Sequence, residues 1–101
     1  MGRARNRPQL LPNKLLAIRE FLNVRKVDMA SRLQAEILSH SRKQYQIKGG
    51  RISEWENGRR EPDLLVVLAY SRLAHVTMDS IVDDDVTLKA FRKRLGKEYY
   101  L

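Results

Sequence analysis

The stretch GGRISEWENGRREPD, residues 49–63, holds the densest set of side chains in this 101-residue chain that could do chemistry. It is a short amphipathic phrase set between two glycines and an Asn-Gly, followed by arginines and a proline. It is too brief to be a stable helix alone and too polar to be a strand, so its neighbours must carry it and its exposed face must serve a purpose. The chemistry on offer is charge recognition. Arg42, Lys43, Lys48, Arg51, Arg59 and Arg60 fill this middle region, Arg3, Arg5 and Arg7 crowd the N-terminus, and Lys89, Arg92, Lys93, Arg94 and Lys97 load the tail. Acid gathers instead at Asp83, Asp84 and Asp85, which read as a solvated turn that keeps that side away from a polyanion. Lysine and arginine total 20 against 12 acidic residues, a formal charge of +8. A nucleic acid or an anionic membrane surface is the partner such a balance favours.

Other chemistries lack parts. With no cysteine there is no disulfide, thiol nucleophile or Cys-based zinc site. His40 and His75 stand far apart, neither with a second ligand at metal spacing. No Gly-rich phosphate loop, Ser-His-Asp arrangement or nucleophile elbow is present. The expectation is a protein that is not an enzyme and takes no cofactor or metal. No apolar run approaches the ~20 residues that span a bilayer. The opening MGRARNRPQLLP lacks the apolar core of a secretory signal, so the expected address is cytoplasmic.

The elements that must position the central phrase are helical. Residues 1–11 read as a basic arm, with Pro8 and Pro12 set against helix. Asn13 is placed to cap a first helix from Lys14 to about Asn23, with Leu15, Ile18 and Leu22 on one face. Met29, Ala30, Leu33 and Ile37 predict a second helix from Lys26 to about Leu38, and residues 34–47 an extended connector. The third helix spans about Gly49 to Asn57, with Ile52 and Trp55 inward and Asn57-Gly58 as its stop. Asp63 caps a fourth over residues 63–75, with one apolar stripe at Leu64, Val67, Leu68, Ser71 and Ala74 and a second at Leu65, Ala69 and Leu73. So broad an apolar surface predicts the central core helix and a candidate contact for a partner protein. Thr77 caps a short fifth helix, MDSIV. Leu88, Phe91, Leu95 and Tyr99 predict an amphipathic tail over residues 87–101, able to dock, dimerise or lie on anionic lipid. The fold expected is all-α, a bundle of about five short helices, with the main domain at residues 12–86.

Leu15, Ile18 and Arg19, then Met29-Ala30, then ISEWENGRREP from Ile52 to Pro62, then Asp63, follow one another in an order that resembles the Cro/phage-repressor-like (lambda-repressor-like, Xre-type) helix-turn-helix domains. The resemblance covers about two-thirds of the chain, from Leu15 to Ile81. It implies a sequence-specific double-stranded DNA-binding transcriptional regulator, expected to be a repressor. It also implies a homodimer on two half-sites and a nucleoid-associated address of the bacterial or phage type. The rival from another class is a protein-interaction module, an antitoxin or adaptor, using the fourth helix or the tail.

The resemblance further implies roles for residues. Base reading falls to Lys48, Gly49, Gly50, Arg51, Ser53 and Glu54, with Arg51 suited to guanine and Glu54 to the cytosine amino group. Lys26, Asn57, Arg59 and Arg60 are the phosphate contacts, and Arg19 clamps Glu56 to tie helix one to helix three. The glycines at 49 and 50 depart from the family pattern by removing two side-chain readers, while letting the backbone approach a ligand closely. The long connector is a second departure. It either extends helix two and adds Arg42, Lys43, Gln44 and Gln46 as contacts, or forms a disordered bump. Arg3, Arg5 and Arg7 suit a strand tracking a minor groove or phosphates.

Overall fold

The computed structural model describes residues 7–97, and among these there are six helices and no strand. They are α1 (Leu11–Leu22), α2 (Lys26–Ser41), α3 (Gly49–Glu56), α4 (Leu64–Ala74), α5 (Met78–Val82) and α6 (Leu88–Arg94). The fold is all-α, with one helix more than the five expected. α1 packs on α3, α4, α5 and α6, while α2 lies across α3 and α4. One apolar cluster runs from Leu11 through Leu15, Ile18, Met29, Leu33, Ile52, Trp55, Tyr70 and Ile81 to Phe91 and Leu95. The core therefore crosses the expected boundary at residue 87: α6 is docked on the domain through Phe91. Tyr99 of the expected tail helix lies outside the described residues.

Local signals account for several helix ends. Asp63 accepts from the Val66 amide, and Thr77 from the Ser80 amide. Thr87 does the same for α6 through the Ala90 amide. Gly58, at φ 75°, supplies the left-handed residue that ends α3. Gly96, at φ 76°, lies so near the Phe21 ring that a Cβ there would sit 2.7 Å from it, and its amide donates to the Ala74 carbonyl. That double constraint ties the end of α6 to α1 and α4.

Several expectations are corrected. α1 starts at Leu11 rather than Lys14, and Asn13 is an exposed residue inside it, not its cap. Pro12 occupies the first turn, where its missing N–H is no loss and its fixed φ is already helical. The orphan donors at this end are met from a distance. The Asp84 carboxylate accepts from the Gln9 amide at 2.8 Å and the Leu10 amide at 3.0 Å, and those two bonds hold its pKa below the usual carboxylate range. The acidic run is thus built into the fold through Asp84, not wholly a solvated turn.

α4 buries Val67, Ser71 and Ala74 of the first expected stripe and Ala69 of the second, and adds Val66 and Tyr70, whereas Leu64 is 75% exposed. It packs against α1, α2 and α5. α2, finally, runs through Ser41, three residues past its expected end, and stops at Arg42 with φ 56°. The connector is thereby cut to residues 42–48.

Lys14 has no counterpart in the sequence reading. Its side chain is fully buried, and Nζ donates to the Ser80 and Asp83 carbonyls, both at 2.8 Å, while lying 5.4 Å from the Phe91 ring centroid. Desolvation lowers its pKa, opposed by the Asp84 and Asp83 carboxylates. Lys14→Ala empties the stem's site and strands two carbonyls, so it should cost ~2–4 kcal/mol in urea unfolding. Lys14→Met restores the stem without the donor and should recover part of that loss. Equal stability of wild type and Lys14→Ala would refute the clamp.

Candidate nucleic-acid interface

α3 has eight residues, and its packing divides them. Ile52 and Trp55 are buried, and the Trp55 ring meets Tyr70 edge-on at 6.4 Å between centroids. Arg51 is exposed and Gly50 stands in open space, since a Cβ built on it meets nothing within 4 Å. Gly49 faces instead the start of α2, where a Cβ built on it would sit 3.9 Å from the Val27 backbone, an ordinary contact distance.

The orientation of α3 is set from α1. Arg19 Nε donates to Glu56 Oε2 at 2.7 Å and Nη2 to Oε1 at 3.0 Å, a two-pronged pair. Arg19 Nη1 also donates to the Val24 carbonyl at 3.2 Å, which fixes the turn between α1 and α2. The side chains are 18% and 6% exposed, enough burial for the pair to be shielded from solvent screening. The bonds to Glu56 raise the Arg19 pKa further above its already high value. Burial, with the Glu56 carboxylate adding, pushes the Tyr70 phenol upward too, so tyrosine stays neutral beside this pair.

Around the exposed side of α3 the expected contact residues meet one another. Lys26 Nζ donates to Ser53 Oγ at 2.9 Å, joining the first residue of α2 to α3. Next to Ser53, Glu54 Oε1 receives Arg51 Nη1 at 3.0 Å and faces Arg60 Nε at 3.4 Å. The Glu54 carbonyl also accepts from the Arg59 amide, so the turn after α3 folds back on it. Lys26, Arg51, Ser53, Glu54, Arg59 and Arg60 therefore form one connected surface, with Lys48 and Asn57 at the two ends of α3. Lys48 and Arg59 make no ion pair among the described residues.

The connector is tethered rather than a loose bump. Ile47 is buried and its amide donates to the Gln34 side-chain oxygen. The Tyr45 hydroxyl donates to Asp63 at 3.1 Å, so one carboxylate caps α4 and pins the loop. Burial, then this bond, raises the Tyr45 pKa. Gln46 borders a cleft of about 220 Å³ together with Arg51, Trp55 and Arg60, so it joins the surface around α3. Arg42, Lys43 and Gln44 are exposed on the loop. Arg7 is exposed and lines a second cleft with Trp55 and Arg60, whereas Arg3 and Arg5 lie outside the described residues. Tyr45 and Gln34 went unassigned in the sequence because their partners are 18 and 13 residues away.

Among the described residues no helix is long and apolar enough to cross a membrane. Comparison of the chain with known protein families, characterised proteins and solved structures finds no match.

Breaking the Arg19–Glu56 pair should be costly in either direction. Arg19→Ala and Glu56→Ala are each expected to destabilise by ~2–4 kcal/mol, because each leaves its partner with a buried, unmatched charge. The double variant should lose less than the sum, and urea unfolding of all four proteins measures that coupling. Strict additivity would show that the pair does not hold the helices together.

Proposed function

We propose that this chain is a sequence-specific double-stranded DNA-binding protein of the lambda-repressor-like helix-turn-helix kind, acting as a transcriptional repressor. α3 enters the major groove with Lys48, Gly49, Gly50 and Arg51 leading, and α2 supports it from behind. Lys26, Asn57, Arg59 and Arg60 bind the flanking phosphates. The protein acts by occupying DNA, as a homodimer on two half-sites about one helical turn apart.

One observation carries this reading: a short helix, clamped from α1 by Arg19 and Glu56, has its apolar side consumed by the core and its other side ringed by cations. Gly50 adds weight. It costs the helix ~0.5–1 kcal/mol relative to alanine, yet no neighbouring atom requires its lack of a side chain. A backbone kept bare on the outside suits a partner that comes close. The protein-interaction reading has less support, because the apolar surface of α4 is largely used inside the chain. Leu64 is the exception, exposed at its first position.

Two measurements test the proposal. Binding to duplex DNA titrated against salt should show a slope of about −3 per protomer in log K versus log salt if Lys26, Arg59 and Arg60 each neutralise a phosphate. Arg59→Ala should flatten that slope by about 1 and weaken all sequences alike, while Arg51→Ala should lose ~1–3 kcal/mol of discrimination at one base position. A flat salt response would remove DNA as the partner. Gly50→Ala should melt at a higher temperature than wild type yet bind duplex DNA less well, and unimpaired binding would mean that no ligand approaches the backbone there.

A further inference from the structure

Glu54 is the acid on the outer side of α3, set among its cations, with Glu61 and Asp63 further along the cleft that Arg51 and Arg60 line. Its Oε1 receives Arg51 at 3.0 Å, one turn back on α3, and Arg60 at 3.4 Å from the turn beyond. A single carboxylate oxygen thus holds the guanidinium expected to read a base and one expected to grip a phosphate. Both arginines remain about half exposed, and Glu54 is 36% exposed, so water and ions reach the cluster. Pairs of this kind are weak and break easily. A carboxylate already shared by two arginines is also poorly placed to accept from a cytosine amino group.

We propose that Glu54 acts as an internal competitor for DNA, a specificity-determining residue and not a base reader. The inference rests on the DNA-binding reading above. In the free protein Glu54 occupies the acceptor-seeking faces of Arg51 and Arg60, and any duplex must displace it. Guanine offers Arg51 two acceptors in the major groove and repays the displacement. A sequence without them leaves Arg51 on Glu54, with a carboxylate held close to the phosphates. Glu54 therefore penalises mismatched DNA more than matched DNA, and it buffers the surface against indiscriminate attraction to polyanions.

The test compares wild type with Glu54→Gln, which keeps the size of the side chain and discards its charge. Asp85→Asn serves as a control with the same change in net charge at an exposed acid outside the cluster. The probes are a mixed-sequence duplex and the duplexes that wild type itself enriches from a random pool. Glu54→Gln should bind the mixed-sequence duplex about fivefold more tightly than either other protein, with a smaller gain on enriched duplexes. The ratio between the two probes should shrink accordingly, while the melting temperature stays close to that of wild type. Unchanged affinity for the mixed duplex would overturn the competitor role and leave the DNA-binding reading intact. So would a selective loss on enriched duplexes with a changed base preference, which would make Glu54 a reader. Failure of wild type to bind either duplex would sink the proposed function and this inference together.

Discussion

A helix of eight residues is too short to define its own position, so the structure depends on how α3 is held. Ile52 and Trp55 supply the burial, but apolar contacts are not directional and would tolerate some rotation of the helix about its axis. The two-pronged pair between Arg19 and Glu56 is directional. A guanidinium and a carboxylate meeting edge to edge fix a plane as well as a distance. Because Arg19 also holds the Val24 carbonyl, one side chain sets both the angle of α3 and the turn into α2. Lys26, at the head of α2, then reaches Ser53. The exposed face of α3 is in this way a consequence of a bond made at its other end.

Much of this was readable in advance because the signals are local or periodic. Ile52 and Trp55 lie on one face by spacing alone, Gly58 follows Asn57 where a left-handed residue is wanted, and Asp63 and Thr77 cap the helices they directly precede. Pro12 was misread, although the rule that favours proline in a first turn would have corrected it. The burial of Val66 and Tyr70 and the exposure of Leu64 on α4 have a different cause. With Leu64, Leu65, Val66, Val67 and Leu68 in a row, periodicity cannot choose a side, and packing made the choice. Lys14 and Asp84 were unreadable in principle. Their partners lie 66 to 75 residues away, and nothing local distinguishes a lysine destined for the core from one at the surface.

Lys14 and Asp84 nevertheless form a coherent device. The N-terminus of α1 has amides to satisfy and a partial positive charge, and Asp84 brings a carboxylate to it. The C-terminal end of α5 has carbonyls to satisfy and a partial negative charge, and Lys14 brings an ammonium to it. Each helix end is completed by a residue of the other segment. The exchange crosslinks the start of α1 to the end of α5 without a disulfide and holds in place the helix that orients α3.

The same exchange shapes the surface field. Several of the twelve acids act inside the fold or in close pairs: Asp84 on α1, Glu56 on Arg19, Asp63 on α4 and Tyr45, and Asp28 on Arg25. Around α3, Lys26, Lys48, Arg51, Arg59 and Arg60 gather on one side, with Glu54 as the acid that pairs with Arg51 and Arg60. The net charge of +8 is shared among this side of α3, the N-terminal arginines and the basic tail. Charges grouped on one rim sum their potential over a polyanion's repeating phosphates, whereas the same number scattered over the surface would largely be screened at physiological ionic strength. Carboxylates used structurally elsewhere, such as Asp84 on α1 and Glu56 on Arg19, are not available to pair with the cations around α3.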